Sequence, residues 1–194
     1  MKKIVFPIFL ILPLLTFGQI EKPIKKGNFI LGGTGIINYN LIDNRSGSNY
    51  SFQTNVFEIN LNPNFSYFII DNLALGLSAT AGLEFEKGNN GYAWGAGPQI
   101  RYYFNNGIFL KTDYSYLYGH SDYGKTNTSL FKAGPGYAIF LSSSVSIEPA
   151  ILYERFSDKF TTFDQIVYRQ TIPGEIYKQK WSSIVFEIGF NIFL

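Results

Sequence analysis

The stretch from Ser183 to Leu194 reads by twos. Ile184, Phe186, Ile188, Phe190, Ile192 and Leu194 form one series, and Ser183, Val185, Glu187, Gly189, Asn191 and Phe193 form the other. Successive side chains of a strand point to opposite faces, so this is a strand with one apolar face and one small, polar face. An edge this apolar invites aggregation unless it is paired. The simplest partner is the first strand of a closed barrel. If the apolar face looks outward, its natural solvent is lipid.

The same period recurs along the chain, and no stretch carries a helical one. In residues 57–67, Phe57, Ile59, Leu61, Phe65 and Tyr67 oppose Glu58, Asn60, Asn62, Asn64 and Ser66. In residues 73–85, Leu73, Leu75, Leu77, Leu83 and Phe85 oppose Ala74, Gly76, Ser78, Gly82 and Glu84 without a break. Further alternating runs cover residues 92–104, 108–118, 131–141 and 145–154, and a Gly-rich first strand covers about 28–40. With the final strand that makes eight.

Short turns centred on Asp71, Asn106 and Ser143 alternate with longer polar loops at 41–51, 87–91, 119–126 and 157–178. An even strand count puts both termini on the short-turn side, and strands of about 10–13 residues fit a tilted membrane crossing. The 157–178 loop is expected to carry the last two strands outward as a protruding hairpin, with Pro173-Gly174 as its turn signal. Pro98, Pro135 and Pro149 fall inside strands, where each removes a ladder donor. Bulges or local breaks shared by two repeats are expected at Pro98 and Pro135.

Three features orient the faces. Eight strands enclose only enough room for side chains, and the Phe, Tyr, Trp, Leu and Ile of the apolar face would overfill it. The other face is small rather than dense in Lys and Glu, as a water-exposed face would be. Aromatic residues fall in two girdles: Tyr92, Trp94, Tyr116, Tyr118, Tyr153 and Trp181 near the long loops, and Phe65, Tyr67, Tyr102 and Phe104 near the short turns. The expected fold is all-β, a closed antiparallel eight-stranded transmembrane β-barrel.

Composition agrees. Aromatics are 18% and charged residues 15% of the 194-residue chain, low in charge for a soluble domain. The absence of cysteine removes disulfides and thiolate metal sites, and a single histidine argues against a His-based metal centre. No cofactor is expected. The start, with Lys2 and Lys3 followed by an apolar run to Phe17 and then Gly18, has the layout of a secretory signal peptide. Residues 1–18 are therefore expected to be removed, leaving 19–194 as the barrel. Taking Lys2 and Lys3 from 16 cationic residues leaves 14, equal to the 14 anionic ones, so nothing points to nucleic acid.

The inward charges are the one dense constellation: Glu58, Glu84, Asp113, Glu148, Glu154 and Glu187 with Arg101, Lys111 and Lys132. They are expected to fill the lumen as a paired network. An ion path is the alternative. Gly119-His-Ser-Asp122 combines the residue types of a hydrolase. Being consecutive in a loop, the three side chains do not easily converge.

The pattern resembles the small eight-stranded outer-membrane barrels of Gram-negative bacteria, of the opacity-protein and OmpX-like type. The run Gly95–Phe104 before an Asn-Asn-Gly turn is similar to the fourth strand of Bacteroidota members. The ending Phe190–Leu194 resembles the signal read by the barrel-assembly machinery. The resemblance implies an outer-membrane location, outer-membrane lipid as surroundings, assembly-machinery contact during biogenesis, and a possible surface partner at the outer loops. It implies no catalytic site. The expected role is non-enzymatic, structural or interaction-type, with a minor porin and an outer-leaflet lipid-modifying enzyme as alternatives.

Overall fold

The computed structural model describes residues 22–46, 50–86, 89–163, 165–167, 170–172 and 174–194. The expected signal segment and its cleavage point lie outside the described residues. The strands are β1 (Phe29–Ser46), β2 (Tyr50–Ile70), β3 (Leu73–Glu86), β4 (Asn89–Tyr103), β5 (Ile108–Ser121), β6 (Gly124–Tyr137), β7 (Ile139–Ser142), β8 (Val145–Thr162), β9 (Gln165–Val167), β10 (Gln170–Ile172) and β11 (Ile176–Phe193). β6 and β7 form one barrel strand interrupted at Ala138, and both pair with β8. Neighbours are antiparallel throughout. β11 pairs with β1 from Ile30↔Phe193 to Thr34↔Gly189, which closes an eight-stranded barrel.

The strands outrun the sequence expectation. β1 and β2 stay paired out to Ser46↔Tyr50, and β5 and β6 to Ser121↔Gly124. Much of the expected loops 41–51, 119–126 and 157–178 is therefore strand. Polar side chains do not end a strand by themselves, because the ladder satisfies the backbone whatever the side chains are. As expected of 157–178, β8 and β11 continue together as far as Thr161↔Ile176. The small β9–β10 hairpin follows, and Pro173 lies outside the described residues.

The faces point as the alternation requires. Leu75, Ile100 and Phe186 are 40%, 45% and 65% exposed, whereas Arg101 and Glu187 are 3% and 6% exposed. A contiguous exposed apolar surface of this extent is foreign to a water-soluble monomer.

The prolines leave this parity intact. The β2–β3 ladder lapses at Asn62 and Pro63, the β4–β5 ladder at Gly97 and Pro98, and the β6–β8 ladder at Gly134 and Pro135. Each resumes in the same register, while each proline stays paired on its other side. The expected feature at Pro98 and Pro135 is thus a local break and not a bulge. An inserted residue would have turned every later side chain to the wrong face. At Gly97 and Gly134 the strands crowd together: a Cβ would run into the carbonyl oxygens of Tyr114 and Ile151. Pro149 sits where β8 faces the interruption at Ala138, whose N–H donates instead to the Gly107 carbonyl at 2.7 Å.

The short turns, the segment before β1 and the end of β11 meet at one end of the barrel. Asn72 and Gly107 take left-handed backbone (φ 69° and 94°), as tight hairpin connections require. The segment before β1 folds across this end. Asn72 donates to the Ile24 carbonyl at 2.8 Å, the Lys26 amide to Asp71 Oδ1 at 2.8 Å, and Lys22 Nζ to the Asn105 carbonyl.

Candidate functional site

The interior is built in storeys from the short-turn end upward. The lowest is apolar. Ile30, Phe68, Tyr103, Phe109, Phe140 and Phe193 pack into one buried cluster, closed from below by Ile24. Ring centroids lie 5.5 Å apart for Tyr103–Phe109 and for Phe140–Phe193, and 5.9 Å apart for Phe68–Tyr103. Of this cluster only Phe193 is placed on the inward face by the sequence expectation, which otherwise gives that face small residues and a few charges. The signal was present. Phe68 follows Ser66 by two, Tyr103 follows Arg101 by two, and Phe193 follows Asn191 by two. Each therefore shares the parity of an inward residue.

The second storey is ionic. Arg101, above the Phe109 ring, reaches from β4 across the lumen to β8, where Nη1 donates to Glu148 Oε2 at 2.9 Å. Tyr103 Oη and Ser146 Oγ donate to the other oxygen, Glu148 Oε1, at 3.0 and 2.9 Å. Lys111 on β5 reaches Glu187 on β11 at 2.6 Å and lies 3.8 Å from Asp113. Lys132 and Glu154, direct neighbours on β6 and β8, pair at 2.8 Å, and Ser183 Oγ donates to Glu154 Oε2 at 3.2 Å. Gln99 donates to Ser66 at 3.1 Å. Buried charges are tolerated only when paired in this way. Among these groups a cavity of about 20 Å³ is left, room for roughly one water molecule.

Glu58 and Glu84 stand apart from that network. They face each other directly on β2 and β3, at the long-loop end, in an open vestibule of about 470 Å³. The nine charges expected to form one constellation thus divide into seven that pair in three groups and two that line the mouth. Like charges directly opposite weaken a ladder.

Of the expected girdle residues, Tyr92, Trp94, Tyr102, Phe104, Tyr116 and Tyr153 are exposed on the outer face, and Tyr118 is half-buried against Trp94 at 6.2 Å. Tyr102 and Phe104 meet edge-on at 5.0 Å. Trp181 is a correction. It has the parity of Ser183 and Glu187, stacks on Phe156 at 3.8 Å and 4°, and donates Nε1–H to Asp158 at 2.8 Å. It therefore belongs to the lumen side of the β8–β11 hairpin and not to the outer girdle.

The residues 119–122 are also rearranged. Gly119, His120 and Ser121 end β5, and Asp122 begins a tight turn. His120 faces outward between Tyr92 and Phe163, 5.5 Å from each. Ser121 points to the opposite face, and Asp122 accepts from the Asn90 amide at 3.1 Å. The three do not assemble into a relay. Among the described residues no group of His, Asp and Glu is arranged to hold a metal ion.

No protein family and no curated protein matches the chain by sequence. Solved structures do resemble it. The outer membrane protein OprG of Pseudomonas aeruginosa is 14% identical with a TM-score of 0.56, over 91% of this chain and 99% of that one. The solution structure of Escherichia coli outer membrane protein W is 11% identical with a TM-score of 0.40, over 86% of this chain and 98% of that one. OprG carries the likeness, and the likeness is one of fold: a closed, antiparallel, eight-stranded β-barrel.

Proposed function

We propose that the chain is a non-enzymatic outer-membrane barrel with a structural or surface-interaction role and no open pore. One observation carries this: the lumen is closed twice, by the aromatic cluster around Phe68 and Tyr103 and by the Arg101–Glu148 and Lys111–Glu187 bridges above it. A hydrated path would have to cross both layers, and an eight-stranded interior is normally filled in this manner. The outward hydrocarbon of β3, β4 and β11 supports lipid as surroundings. The likeness to OprG, an outer membrane protein, agrees with that location. The Bacteroidota type rests on the Gly95–Phe104 run and on the signal-like segment ending just before Gln19. The separate placement of His120, Ser121 and Asp122 speaks against the lipid-hydrolase alternative.

Two measurements test the reading. The chain should fractionate with outer membranes and migrate differently on gels before and after boiling. In planar bilayers it should show no steady, ion-selective openings. Reproducible single-channel steps from the purified barrel would replace this reading with the porin alternative.

A further inference from the structure

One ladder row runs around the outside of the barrel from Trp94 to Tyr118, then Asn127, Lys159 and Lys178. On β4 and β5 this row is the aromatic girdle. On β8 and β11 it is two lysines directly opposite each other. Lys180 lies two residues further down β11, opposite Ser157, and Arg155 lies two below Ser157 on β8. All four cations are exposed. Like charges in direct opposition weaken a ladder, so the fold itself gains nothing from this arrangement. Asp158, between Ser157 and Lys159, is turned to the other face, where Thr128 and Trp181 donate to it at 2.6 and 2.8 Å. Among the described residues Lys159, Lys178 and Lys180 form no ion pair.

Two further features define what would neutralise these charges. Immediately below them the same face is hydrocarbon: Ile184 and Phe186 on β11 and Ile151 on β8, all exposed. Beside them a groove of about 450 Å³ is lined by Asn127, Ser129 and Ser157 as well as the lysines, with Asp158 also in its wall but its carboxylate engaged by Thr128 and Trp181. Acyl chains suit the first feature, hydroxyl-rich sugar the second, and phosphate the lysines. We infer that the outward face of β6, β8 and β11 is a docking site for a phosphorylated glycolipid of the outer leaflet. Its phosphates sit on Lys159, Lys178 and Lys180 and its chains on Ile184, Phe186 and Ile151. This rests on the outer-membrane reading. A basic cluster at a lipid headgroup level attracts anionic lipid, each lysine contributing roughly fivefold.

The test uses the folded full chain in zwitterionic detergent and native mass spectrometry with three probes: bisphosphorylated lipid A, the same lipid dephosphorylated, and phosphatidylglycerol. The expected result is at least about tenfold tighter retention of the bisphosphorylated lipid than of either other probe. K159Q/K178Q/K180Q should lose at least about tenfold of it, and Lys26→Gln, at the short-turn end beside Asp71, less than about twofold. Equal retention of the dephosphorylated lipid overturns the inference, as does preference for phosphatidylglycerol or an unaffected triple variant. The wild-type comparison decides even if the triple variant fails to fold. Fractionation and heat-modifiable migration are scored separately. A barrel that passes both without phosphate preference sinks this inference alone, whereas one that fails them sinks the outer-membrane reading as well.

Discussion

Arg101 and Glu148 belong to strands that do not touch, β4 and β8, yet their side chains meet across the barrel at 2.9 Å. Both are almost fully buried, and Glu148 also accepts from Tyr103 and Ser146. The bridge braces opposite walls directly above the aromatic cluster. Removing one partner strands the other charge in a dry interior. Arg101→Met is therefore expected to cost about 3–5 kcal/mol, read from urea unfolding of the barrel in phospholipid vesicles. Adding Glu148→Leu should recover part of that loss. A single variant as stable as the wild type would show that the bridge braces nothing.

The aromatic storey makes a separate prediction. Phe68 is fully buried beneath Tyr103 and Phe193. Phe68→Ala should destabilise by about 3–5 kcal/mol. Bilayer recordings should stay silent, because the ionic storey above remains closed. Steady conductance from this one variant would mean that the aromatic cluster alone holds the lumen shut.

The crowded glycines predict an assembly defect. At Gly97 and Gly134 an added methyl meets backbone, which cannot step aside as a flexible side chain would. Gly97→Ala or Gly134→Ala should lower stability by about 1–3 kcal/mol through overpacking. At Gly35 the nearest atom to a new Cβ is Leu61 Cδ2 at 3.6 Å, so Gly35→Ala should fold as the wild type does. Parallel refolding yields, scored by heat-modifiable migration, compare the three.

The outward band can be probed with one charge. Ile188 is exposed in the middle of the apolar face of β11. In lipid vesicles Ile188→Lys should cost about 2–4 kcal/mol if it lies near the midplane. On a water-facing surface the same change would fall within about 0.5 kcal/mol. An effect that small would show that lipid is not what this face meets.

The mouth of the barrel calls for the opposite sign. Glu58 and Glu84 are directly opposed like charges, so Glu84→Gln should raise stability at neutral pH by roughly 0.2–1 kcal/mol. Urea midpoints at unchanged slope are the measurement. A loss of stability would mean that the two carboxylates cooperate with some other group in the vestibule.

What the sequence determined by itself was the side of the wall on which each residue stands. The two-residue period is local: once Leu75 is outside, Gly76 is inside, and no distant contact can alter that. Arg101, Glu187, Trp94 and Phe186 were legible on this ground. So are Phe68 and Tyr103, which share the parity of Ser66 and Arg101, and Trp181, which shares that of Glu187 although its size suggests an outer girdle. Only the tertiary structure decided which inward groups meet. Arg101 could have met any of several carboxylates, and closure of β11 on β1, with the register held through three proline breaks, brings it to Glu148 and brings Lys111 to Glu187. Pairing across a lumen depends on the shear of the whole cylinder, a sum over every ladder, and no single stretch of chain contains it.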